Sequence, residues 1–292
     1  MSLVEKIVNN YIFIPPPFDI SKSRLIETED GIPYRIIQVK PESPDPSLVN
    51  ITIKLLYCHG NTEDVISAWD HVNLFLKSLH AACSYLEVNV YILCILWDYP
   101  GYSVSKIEMD LTVWQEQAKV IWKKLLDLNI KEECYDVYNI AWGYSIGTAM
   151  ACYLSSEVSC DMVWLQAPFA TLIGGAGKTV SAYFLGPWID NISSLKNKNK
   201  NVFACAIFAG DDQLLPVRIN EPELEPYLDL IIINAKADHE WFIDVQGIEF
   251  SVECFKKEII SMYEKRNCIT IEKEGETKDI NEEIEDYLRE NP

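Results

Sequence analysis

Ten residues, Val88–Trp97, form an almost unbroken apolar run in which Asn89 is the one polar position. The run carries no helical stripe and is far too short to span a bilayer. It suits a β-strand covered on both faces, as in a parallel sheet held between two helical layers. Shorter runs of the same character occur at 33–39, 51–58, 137–142, 162–166, 202–209 and 228–233. Helical spacing separates several of them. Val65, Trp69, Val72, Leu76 and Leu79 place one apolar stripe on a helix over about 63–80. Leu111, Trp114, Ala118, Ile121, Leu125 and Leu128 do so over 109–128, and Val252, Phe255, Ile259 and Met262 over 250–263. Strands alternating with amphipathic helices predict an α/β fold with a mostly parallel central sheet and helices on both faces.

Nothing in the chain divides this pattern into two domains. Residues 1–32, with Ile14-Pro15-Pro16-Pro17-Phe18, read as an arm, because proline cannot donate to a central ladder. Residues 33–268 form the domain, and 168–201 make a short lid-like insertion within it. Gly174-Gly-Ala-Gly-Lys-Thr in that insertion superficially suggests a phosphate loop, but the required first glycine falls at Leu172. Residues 269–292 form an acidic tail or helix and contribute to a net charge of -19. That charge disfavours nucleic acid and anionic membranes as partners. Nine scattered cysteines, none at metal-site spacing, predict reduced core thiols and no metal. With no basic-then-apolar leader at the start, the expected location is cytoplasmic. Asn50-Ile-Thr and Asn191-Ile-Ser match glycosylation sequons, which carry little weight there.

The chemistry centres on Gly143-Tyr144-Ser145-Ile146-Gly147, which joins the strand at 137–142 to a helix. A serine on such a strained turn exposes its hydroxyl above the sheet, and flanking glycines allow the close chain reversal. A serine nucleophile needs a base, and the base needs an orienting acid. Of the four histidines, His59 precedes the serine, and His71 and His80 fall in the first helix as surface or packing residues. His239, just after the strand at 228–233, is left as the base. The acid is expected in Gly210-Asp211-Asp212; Asp212 is preferred and Asp211 is the alternative. Asp190 reads as a surface or capping residue. His59-Gly60-Asn61 follows an early strand, so the N–H groups of Asn61 and Ile146 are candidates for an oxyanion hole. His59 itself reads as a structural hydrogen-bonder. Gly60, Tyr144 and Trp241 are expected to line the substrate.

Together, Leu56-Tyr-Cys-His-Gly-Asn-Thr-Glu-Asp, Asp98-Tyr-Pro-Gly-Tyr, Gly143-Tyr-Ser-Ile-Gly-Thr, Gly210-Asp-Asp and Asp238-His239 resemble the α/β-hydrolase superfamily. The likeness runs from Ile14 to about Tyr263 and is greatest to the small-lid, depalmitoylase-like branch. Two features depart from that branch. Its members share an N-terminal cysteine cluster that anchors them to membranes, whereas the first cysteine here is Cys58. They also tend to have glycine where this chain has Ser103. The resemblance implies a serine hydrolase without cofactor or metal. It would cleave small-molecule or protein-borne acyl esters or thioesters through an acyl-enzyme, with acyl-protein thioesterase as one form. A serine peptidase or amidase, and a non-catalytic binding protein of the same fold, are the alternatives.

Overall fold

The computed structural model describes residues 13–83, 86–130, 136–172 and 189–267. The glycine-rich stretch at 174–179, the acidic tail at 269–292 and much of the lid-like insertion lie outside them. The chain forms two compact units, 1–253 and 254–292. The sheet and every candidate site residue belong to the first. The described part of the second is the C-terminal portion of the last helix.

Eight strands make one sheet: β1 (Glu27–Glu29), β2 (Ile32–Val39), β3 (Val49–Cys58), β4 (Val88–Trp97), β5 (Asp136–Tyr144), β6 (Met162–Gln166), β7 (Phe203–Ala209) and β8 (Leu230–Asn234). Their order is β1-β2-β4-β3-β5-β6-β7-β8. From β4 to β8 all neighbours are parallel, while β1 and β2 form an antiparallel edge. The expected mostly parallel sheet is therefore present. All ten residues of β4 are buried, as an apolar run covered on both faces requires. Within the arm, β1 pairs with β2 and Phe13 packs edge-on against Trp114 at 5.3 Å.

The strand order reverses around β3. The chain passes from β3 outward to β4, then returns to the other side of β3 as β5. A crevice opens at the C-terminal ends of strands at such a switch point, and ligands of open α/β sheets bind there. Register brings Cys58 of β3 opposite Gly143 of β5, so the turn at 59–61 and the turn at Ser145 become neighbours.

Six α-helices are described: α1 (Trp69–Ala82), α2 (Leu111–Asp127), α3 (Thr148–Glu157), α4 (Asn191–Lys196), α5 (Val217–Leu224) and α6 (Val245–Asn267). Helix α1 starts six residues later than its apolar spacing predicts. The cause is Asp64, whose Oδ1 accepts the N–H groups of Ile66 at 2.9 Å and Ser67 at 2.7 Å. That local hydrogen bonding holds the backbone in turns in competition with a helix. Helix α4 arises inside the lid-like insertion, capped by Asp190 through the Ser193 N–H at 2.9 Å. Asn191 is buried and donates to the Phe169 carbonyl at 2.8 Å, so this sequon asparagine is a packing residue. Helix α5 has no counterpart in the sequence reading, because Pro222 within it breaks the helical signal. Among the described residues, no helix is long and apolar enough to cross a membrane.

Gly147 makes a close backbone approach to β3. A Cβ there would lie 2.0 Å from the Cys58 carbonyl oxygen, at the end of central strand β3. The obstacle is backbone and cannot swing aside. Gly147→Ala is expected to destabilise the fold by about 3 kcal/mol, read as a lower urea midpoint at unchanged slope.

Candidate active site

Ser145 opens a single 3-10 turn, Ser145–Gly147, that joins β5 to α3, with φ at +52°. A non-glycine residue in this region stores strain and is held there only by its surroundings. Those surroundings are visible on both sides. A Cβ at Gly143 would lie 2.6 Å from Thr148 Cα, and the Thr148 hydroxyl donates to the Ser145 carbonyl at 2.7 Å. The turn therefore lifts the serine hydroxyl away from the strand and places Ile146 N–H at the start of a helix, where partial positive charge collects.

Ser145 Oγ lies 2.8 Å from His239 Nε2, and His239 Nδ1 lies 2.7 Å from Asp212 Oδ2. A carboxylate only accepts, so Nδ1 carries the hydrogen and Nε2 offers its lone pair to the serine hydroxyl. Two close backbone approaches create this alignment. Gly210 N–H donates to the Asn234 carbonyl at 2.6 Å, and Asp211 N–H donates to Ala237 at 2.9 Å. A Cβ at Gly210 would lie 2.5 Å from Ala235 Cα, so a hydrogen there lets the loops after β7 and β8 touch.

Asp212 is buried, whereas Asp211 is exposed and meets Gln213 at 3.0 Å. The second oxygen of Asp212 accepts the N–H groups of Leu214 at 2.8 Å and Leu215 at 2.7 Å. Burial alone would push this carboxyl up. Hydrogen bonds from His239, Leu215 and Leu214 outweigh burial and hold it below the ordinary carboxylate range. Of the two candidate acids, the loops bring only Asp212 to the histidine.

Tyr144 was expected at the substrate, but it is 95% buried and its hydroxyl donates to the His239 carbonyl at 2.9 Å. It ties the histidine loop to the residue before the serine. Trp241 is half-buried and packs against Phe242 and Phe250 with ring centroids 5.6 and 5.2 Å apart. Asn61 anchors the neighbouring turn. Its Oδ1 accepts the Ile14 N–H at 3.1 Å and the Tyr102 hydroxyl at 2.8 Å. His59 is buried and stacked on Tyr99, with ring centroids 3.9 Å apart. Ser103 adopts φ +41°, the left-handed backbone that favours glycine, and its hydroxyl meets the buried Asp98 carboxylate. The serine thus keeps the glycine-like turn through a side-chain hydrogen bond.

His71, expected as a surface or packing residue, is largely buried, with its side chain 14% exposed. It belongs to a buried polar group with Glu63 and Tyr57, at 3.2 Å from each. Helical spacing revealed its element but not its partners, because Glu63 reaches it from the turns that replace the first part of the expected helix.

No family model matches the chain, and no curated protein matches it either. Solved structures do. The peroxisomal α/β-hydrolase Lpx1 from Saccharomyces cerevisiae superposes with a TM-score of 0.58 at 13% identity, covering 89% of each chain. Est1E from Butyrivibrio proteoclasticus gives 0.55 at 12% identity, over 81% of this chain and 97% of its own. An esterase from Pyrococcus furiosus gives 0.53 at 17% identity, over 88% of this chain and 98% of its own. With the strand order above, these similarities define the class: this chain has the α/β-hydrolase fold.

Proposed function

We propose that this protein is a serine hydrolase that cleaves carboxylic esters or thioesters through an acyl-enzyme. The observation that carries the reading is the unbroken hydrogen-bond chain Ser145–His239–Asp212, at 2.8 and 2.7 Å, built on a strained serine. In this mechanism Ser145 Oγ attacks the acyl carbon while His239 Nε2 takes its proton. Asp212 holds the imidazole in the required tautomer and stabilises the imidazolium that forms. The N–H groups of Ile146 and Asn61 receive the oxyanion, each worth about 2.7–4 kcal/mol in the transition state. Collapse of the tetrahedral intermediate transfers the proton from His239 to the leaving oxygen or sulfur. Water then attacks the acyl-enzyme by the same route in reverse, releasing the acid and free Ser145.

The esterase name of the Pyrococcus furiosus neighbour, and a structure of Est1E with ferulic acid bound, are consistent with ester chemistry on this fold. The substrate we assign is a small-molecule or protein-borne acyl ester or thioester, an acyl-protein thioester included. A reducing, cytoplasmic setting is part of the proposal. It is supported by Cys58, Cys94, Cys152 and Cys160, which are buried thiols, with burial pushing Cys58 and Cys160 up to about 12.

The test is covalent labelling by a fluorophosphonate probe together with turnover of p-nitrophenyl acyl esters of increasing chain length. Labelling at Ser145 with ester turnover supports the proposal. Folded protein that takes up no probe would instead indicate a binding protein, and cleavage of peptide amides without ester preference would indicate a peptidase.

A further inference from the structure

Behind the turn that carries Asn61 lies a buried polar group that the triad does not use. Glu63 is only 7% exposed, although burying a carboxylate is costly unless its oxygens are satisfied. Its Oε2 accepts the Gly60 N–H at 2.7 Å and the Tyr57 hydroxyl at 3.2 Å. Its Oε1 lies 3.2 Å from His71 Nε2. Burial pushes His71 below the ordinary histidine value, against the opposing pull of Glu63 and Asp70, with His59 adding to the drop. A neutral imidazole bearing its hydrogen on Nε2 completes the set, so three donors converge on one acceptor-only carboxylate.

The same residue also holds the far side of Gly60. The Gly60 carbonyl accepts the Glu63 N–H at 3.2 Å and lies 2.7 Å from His59 Nδ1. The peptide from Gly60 to Asn61 is planar and trans, so its carbonyl and the Asn61 N–H point in opposite directions. Holding the Gly60 carbonyl therefore aims the Asn61 N–H. The turn has little room to relax, because a Cβ at Gly60 would lie 2.9 Å from the Tyr144 ring and 3.1 Å from Glu63 Oε2.

We propose that Glu63 is a positioning residue for catalysis: anchored by Tyr57 and His71, its carboxylate locks the Gly60 turn so that the Asn61 N–H meets the oxyanion. This rests on the serine-hydrolase reading of Ser145.

Glu63→Gln in the full chain tests it, since glutamine keeps the shape but turns an N–H2 towards at least one donor. The expected result is a roughly 10- to 100-fold lower kcat for p-nitrophenyl acetate, with KM changed by less than about threefold. An aryl trifluoromethyl ketone, which forms an oxyanion on Ser145, should lose affinity in proportion to the fall in kcat/KM. A merely structural role would not produce that proportionality. Tyr57→Phe, which deletes one donor without altering the turn's own residues, should move both readouts the same way by about 3- to 10-fold, and it carries the comparison if Glu63→Gln fails to fold. Wild-type kcat in a folded Glu63→Gln variant, or a fall in kcat/KM with unchanged ketone affinity, would overturn the proposal. Failure of the unmodified protein to take up a fluorophosphonate would overturn the underlying serine-hydrolase reading instead.

Discussion

Ser145→Ala is expected to lower kcat for p-nitrophenyl esters by about 10⁴-fold or more and to abolish fluorophosphonate labelling. The effect is large because in the proposed mechanism the hydroxyl is the atom that attacks, and its geometry cannot be supplied by a neighbour. Its position at φ +52° is held by Gly143, Gly147 and the Thr148 hydroxyl, none of which is a nucleophile placed beside His239. Alanine keeps the β carbon and hence the backbone strain, so the variant should fold with nearly unchanged stability. Ser145→Gly should be equally inactive but more stable by on the order of 1 kcal/mol, because glycine adopts positive φ without penalty. Inactivity together with a raised urea midpoint would show strain retained for the sake of the hydroxyl. Labelling that persists in Ser145→Ala would remove the nucleophile assignment.

Asp212→Asn is expected to lower kcat by about 10⁴-fold, whereas the same change at Asp211 should leave it within about twofold. An amide at position 212 presents an N–H2 or a weaker acceptor to His239 Nδ1. The imidazole then favours a hydrogen on Nε2 and no longer accepts the serine proton. Asp211 is exposed and bonds Gln213, so its charge has no such task. Hydrogen bonding holds the Asp212 carboxyl below its unfolded value. Its contribution to stability is thus fully present above pH ~4 and is lost only as acid titrates it through the lower folded value. Loss of ester turnover above that pH therefore arises elsewhere than at Asp212. Parallel kinetics of the two variants decide between the adjacent aspartates, and equal losses in both would contradict the assignment.

Much of the fold is legible in short stretches of sequence. The run at Val88–Trp97 demands cover on both faces whatever surrounds it, and it becomes the fully buried strand β4. The elbow is equally local, because Gly143, Ser145 and Gly147 act within one turn and the following helix. Misplaced boundaries also have local causes that outweighed a correct periodicity. At the start of α1, the Asp64 side chain captured the backbone N–H groups that a longer helix would have used. In α5, Pro222 hid a helix that the surrounding packing sustains.

The site divides along a similar physical line. Residue order and chemistry brought forward Ser145, His239 and an adjacent pair of aspartates, because each is tied to a turn or a strand end. Asp212, already preferred from the sequence, reaches His239 because the loops after β7 and β8 touch at Gly210 and Ala235, a contact between segments distant in sequence. Tyr144, expected at the substrate, proved to brace the His239 loop through its hydroxyl. The pairing of Glu63 with His71 and Tyr57 gave no sequence signal, since a buried carboxylate is recognised by the donors that converge on it. Helix, strand and elbow follow from short-range sterics and apolar spacing, which the chain carries in its order of residues. Pairing between loops follows from where the sheet sets them, and only the folded chain settles that.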